Sequence, residues 1–76
     1  MPTVPESERT YIDYRRLQLL ACCAGFSLRE VERRLGLAPT NLFQMTRRGW
    51  LRRQRAQEVA EVLGCTVADF EVRHAD

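Results

Sequence analysis

The side chains able to do chemistry are few, and most of them are arginines. Three cysteines are present, Cys22, Cys23 and Cys65. An odd number with two adjacent does not make a disulfide framework. A zinc site would need a fourth ligand, and the only histidine, His74, lies near the end. The thiols read as small buried groups in a reducing cell. No acid pair, nucleophile–base pair or metal-ligand spacing is present, so neither an enzyme nor a cofactor is expected. Ser27 is used as a helix cap, and His74 has no evident partner. What remains is charge. All twelve basic residues are arginine, and the net charge is +2. From Arg29 to Arg55 eight arginines stand against Glu30 and Glu32 alone, while the rest of the chain has four arginines and eight acids. A basic middle between acidic flanks points to a face that meets a polyanion. A solvated surface laced with intrahelix ion pairs is the alternative.

Seventy-six residues make one domain, with 45% apolar and 29% charged residues. That balance fits a soluble globular chain whose small core is best built from short helices. No apolar run approaches the length of a membrane span, and "MPTVPESER" has no apolar core of a secretion signal. A cytoplasmic protein is expected, with a flexible arm over 1–9 and a folded domain over 10–76.

Four or five helices are predicted. The first covers about Thr10 to Ala24, with Tyr14, Leu17, Leu20, Ala21 and Ala24 on one face, a Thr10–Asp13 capping box and Gly25 at its end. The second starts at Ser27, with Glu30 completing a box, and covers about 27–35. Leu28, Val31 and Leu35 form its apolar face, and Gly36 stops it. The third covers about 39–48, opened by Pro39 and closed by Gly49, with Leu42 and Met45 facing in. "WLRRQ" is a connection or the start of a fourth helix, which continues through Val59, Ala60 and Leu63 to Gly64. Thr66 with Asp69 caps a last short helix bearing Val67, Phe70 and Val72. No strand alternation stands out.

Two helices joined through Gly36 by so short a turn must cross steeply, which is the helix-turn-helix arrangement. "FSLREVERRLGLAPTNLFQMTRRG" followed by "VAEVLGCTVADF" resembles the phage-repressor or Cro-like (XRE) helix-turn-helix family. The likeness covers about Leu17 to Phe70. It rests on Leu17 and Leu20, Phe26 and Ser27, the run Val31, Leu35, Gly36, Leu37, Leu42 and Met45, and Val59, Ala60, Leu63 and Gly64. It implies an all-α, compact four- to five-helix, lambda-repressor-like DNA-binding domain. It also implies a bacterial or phage transcriptional regulator, in the first instance a repressor.

The resemblance makes the third helix the one inserted in the major groove. Thr40, Asn41, Phe43, Gln44 and Arg47 then face base edges. Pro39 is left to pack on a thymine methyl. Gln44 is the best direct reader, because its amide pairs bidentately with adenine. Arg33, Arg48, Arg52 and Arg53 are phosphate candidates. For Arg52 and Arg53 the alternative is an ion pair with an acid of the fourth helix.

Three positions depart from the family. Glu32 stands where a small residue is usual, and must swing out or pair with Arg47 or Arg48. Ala38 replaces the usual serine or threonine cap. Leu28 replaces a polar residue. One helix reads few base pairs, so a homodimer on a palindromic operator is expected. Trp50, Phe70 and Val72 are candidates for its interface, although Phe70 and Leu51 can instead close the core. No membrane partner or small-molecule ligand is expected. A protein-interaction module on the same fold, antitoxin-like or an adaptor, is the other reading, and its cue is an exposed apolar face with Phe43 and Trp50.

Overall fold

Glycine and the 3.6-residue period place the helices; two short strands, absent from that pattern, tie them together. The computed structural model describes residues 4–72. Helix α1 spans Tyr14–Cys23, α2 Leu28–Leu35, α3 Asn41–Arg47 and α4 Arg53–Leu63. Ser27 caps α2 by accepting the Glu30 N–H at 3.2 Å. Gly36 and Gly64 end α2 and α4 in the left-handed conformation that glycine adopts without penalty. The expected last helix is a single 3-10 turn, Val67–Asp69. Asp69 reaches back to the Thr66 N–H at 2.9 Å and to its hydroxyl at 3.1 Å. These bonds hold the Asp69 carboxyl below the usual carboxylate range. The stability they add is therefore present above the ordinary carboxylate pKa and lost as pH falls through the depressed one.

The expected all-α fold does not hold. Strand β1, Arg9–Tyr11, pairs antiparallel with β2, Trp50–Arg52. The register is Arg9↔Arg52, Thr10↔Leu51 and Tyr11↔Trp50. Successive strand residues point to opposite faces. Thr10 and Leu51 accordingly go inward and are buried, at 7% and 0% exposure. Arg9, Tyr11, Trp50 and Arg52 take the outer face. Next to the sheet, the Val72 N–H donates to the Tyr11 carbonyl and the Asp13 N–H to that of Phe70, both at 2.8 Å. The segment Phe70–Val72 thus lies along the end of β1.

This pairing changes the start of the chain. Thr10 is in the sheet and makes no capping box; Asp13 caps α1 alone, accepting the Arg16 N–H at 3.2 Å. A boundary between residues 9 and 10 would cut β1. The preceding residues fold back in a 3-10 turn, Glu6–Glu8, and the Arg9 Nε–H donates to the Val4 carbonyl at 3.2 Å.

One core joins Leu17 and Ala21 of α1, Val31 of α2, Leu42 of α3, Leu51 of β2, and Ala56, Val59, Ala60 and Leu63 of α4. Ile12 and Phe70 complete it. Phe70 has no exposed surface, so it closes the core and is not available to an interface. The thiols are not buried as expected: Cys22 and Cys23 are exposed at the end of α1, and Cys65 is half-buried. Burial, and then Asp69, push the Cys65 thiol pKa up. Among the described residues no helix is long and apolar enough to cross a membrane.

Candidate nucleic-acid interface

The turn between α2 and α3 is held by a residue the sequence marks as an intruder. Glu32 neither swings out nor pairs with Arg47 or Arg48. It is 3% exposed, and its carboxylate caps α3. One oxygen accepts the Leu42 N–H at 2.7 Å and the Phe43 N–H at 3.4 Å, and the other accepts the Thr40 N–H at 3.2 Å. The first N–H groups of a helix lack partners within it, and they favour a negative charge. Ala38 offers no side-chain oxygen, and the Thr40 hydroxyl makes no cap bond. A carboxylate from α2 does the work of both. It also welds the two helices at a fixed crossing.

The helix is shorter than its sequence pattern. It begins at Asn41, and Pro39 and Thr40 belong to the turn before it. Thr40 sits at φ 67°, the only described residue other than glycine with positive φ. That conformation is unfavourable for a β-branched residue and persists where surrounding contacts impose it. The Glu32 bond to the Thr40 N–H is one such contact.

The two faces of α3 separate as expected. Leu42 and Thr46 are buried and Met45 is half-buried, while Asn41, Phe43, Gln44 and Arg47 are exposed, as is Thr40 before them. Thr46 satisfies its hydroxyl on the Phe43 carbonyl at 2.9 Å. Among the described residues, the side chains of Asn41 and Gln44 have no hydrogen-bond partner. Phe43 is 40% exposed. Its ring meets Tyr14 of α1 edge-on with centroids 6.1 Å apart, and the Arg47 guanidinium lies 5.6 Å from its centroid. Phe43 is thus braced on its flanks, not loose. Leu28 packs against the core, which explains why no polar residue is needed there.

The phosphate candidates differ in how far they are committed. Arg33 pairs with Glu30 at 3.7 Å on the exposed surface of α2, and Arg34 pairs with the same acid at 3.6 Å. Arg53 donates to the Ser7 carbonyl at 2.8 Å. The ion pair expected within the fourth helix belongs to Arg55, with Glu58 at 3.2 Å. Arg48, at the end of α3, lies over the Trp50 ring at 3.7 Å from its centroid and donates to the Trp50 carbonyl at 3.1 Å. Its pKa is lowered by burial, then by repulsion from Arg9 and Arg52. Arg9 was not expected here. It comes from β1, 43 residues before Arg52 in sequence but opposite it in the sheet, and the only sequence signal is the alternation of Arg-Thr-Tyr. Of the interface candidates besides Phe70, Val72 is 38% exposed. Trp50 is half-buried beneath arginine rather than presented as an apolar patch.

Compared with protein families, with curated proteins and with solved structures, the chain matches none.

Proposed function

We propose that this domain binds double-stranded DNA in a sequence-specific way, with α3 in the major groove, and acts as a transcriptional regulator by occupying a promoter as a repressor. The observation that carries the reading is the Glu32 cap. It fixes the head of α3 against α2 while Thr40, Asn41, Phe43, Gln44 and Arg47 face outward beside Arg48. The amide side chains of Asn41 and Gln44 on that face are free to pair with base edges. The likeness to the XRE family adds to this support, and so does the concentration of arginine between Arg29 and Arg55.

On this reading Gln44 and Asn41 take base edges, Phe43 presses on thymine methyls, and Arg47 reaches a guanine or a phosphate. Arg33, Arg48, Arg52 and Arg53 contribute to backbone affinity. A second copy on a palindromic operator supplies the other half-site, and the setting is a bacterial or phage-infected cytoplasm. The protein-interaction reading is weakened at Trp50, which Arg48 and Arg9 cover, while Phe43 keeps an exposed ring with Arg47 at its side.

Mobility shifts of Gln44→Ala and Arg52→Ala, on a selected site and on random duplex, provide the test. Gln44→Ala should lose about tenfold or more on the selected site and little on random DNA. Arg52→Ala should weaken both alike. Equal losses for Gln44→Ala on the two duplexes would remove it as a base reader.

A further inference from the structure

We propose that Arg9 and Arg48, set over the Trp50 ring, and Arg52, the cross-strand partner of Arg9, form a clamp for a DNA backbone phosphate on the outer face of the two-stranded sheet. The inference rests on the DNA-binding reading above and adds to it a second contact surface, built by the sheet and not by the helix-turn-helix.

Three features carry it. Arg9 and Arg52 are direct cross-strand partners, and like charges placed opposite one another in a sheet destabilise it. Arg48 joins them from the end of α3, close enough that both repel its charge. The nearest relief is Glu6, whose carboxylate lies 3.6 Å from the Arg9 guanidinium and is itself 73% exposed. Glu8 and Glu58 lie beside Arg52 without an ion pair to it within 4 Å, so three guanidiniums with one ion-paired acid are an arrangement that a bound anion completes.

The second feature is the ring. The Arg9 guanidinium carbon is 4.5 Å from the Trp50 centroid and that of Arg48 is 3.7 Å from it. Stacking on an indole holds a guanidinium by its flat face and leaves N–H donors in its plane for an oxyanion. Arg9 is further fixed by its bond to the Val4 carbonyl, and its side chain is only 25% exposed. Little side-chain freedom is left to lose on binding, and planar donors are the ones suited to phosphate oxygens.

The third feature is place. Arg48 directly follows α3 and β2 follows Gly49, so the cluster adjoins the C-terminal end of the helix proposed to enter the groove. A backbone phosphate flanking the groove is the anion that position meets. Contacts of this kind fix the orientation of a recognition helix and carry no sequence information.

The experiment measures affinity for a short duplex of random sequence, and for a selected site, across a potassium chloride series. Arg9→Ala should bind both duplexes more weakly by the same factor and reduce the slope of log K against log salt by about one. Glu6→Gln removes the opposing charge and should instead tighten both by about two- to fivefold. That gain cannot come from misfolding. Trp50 is the only tryptophan, so its emission should change when either duplex binds, and the change should shrink in Arg9→Ala. A folded Arg9→Ala with unaltered slope, or Glu6→Gln with unaltered affinity, would overturn the clamp. The DNA reading would then still stand if Gln44→Ala loses the selected site. Wild-type protein that binds no duplex at low salt overturns both.

Discussion

Replacing Glu32 by alanine should lower the unfolding free energy by about 3 kcal/mol, through the loss of charge-assisted bonds and the exposure of unpartnered donors. The carboxylate serves the N–H groups of Thr40, Leu42 and Phe43 from a buried position. Alanine leaves those donors without a partner, and that of Leu42 lies where water has poor access. A domain of this size holds only about 4–10 kcal/mol in total, so the melting temperature should fall by about 12–24 °C. Glu32→Gln should be intermediate. One amide oxygen can still accept from Leu42, but the amide nitrogen would face a second N–H donor. Denaturant unfolding measures the loss, and amide exchange locates it. The Leu42 and Phe43 amides should exchange faster than those of α4. A loss below about 0.5 kcal/mol, the range of ordinary surface changes, would mean that the cap does not hold α3.

Phe70→Ala should cost about 3–5 kcal/mol, the range for emptying a buried aromatic site. The ring has no exposed surface and belongs to the same core as Leu17, Leu51 and Val59. Its carbonyl also receives the Asp13 N–H at the head of α1, so the cavity opens beside a helix terminus. The destabilisation should be independent of protein concentration, because it arises within one chain. A midpoint that instead moves with concentration in wild type, and loses that dependence in Phe70→Ala, would place the ring at an interface between copies.

The helices were readable because their signals are local. Ser27, Gly36 and Gly64 stand at ends that periodicity already indicates, and the structure places caps there. The inward set Leu17, Val31, Leu42, Val59 and Leu63 follows from spacing alone. The sheet was not readable, because each strand has three residues and three residues scarcely define an alternation. Thr10 illustrates the cost. With Asp13 three residues later it matches a capping box, yet its partner is Leu51 across the sheet. The role of Glu32 is hidden for a related reason. Its three N–H partners lie eight to eleven residues away, so nothing nearby in sequence reveals that a carboxylate belongs there. The outer face of α3 was legible as a face, whereas its neighbours Tyr14, Arg9 and Trp50 were assembled by tertiary pairing.

Contact between DNA and the outward face of α3, with the arginines beside it, is the central expectation. Selection of binding sites from a random duplex pool, followed by affinity measurements on the recovered sequence across a salt series, tests this most directly. A recurrent, palindromic site should emerge. Its affinity should fall steeply as salt rises, and the preference over random duplex should collapse in Gln44→Ala. A pool that yields no enriched sequence, with no shift of any duplex at low salt, would mean that α3 does not read DNA.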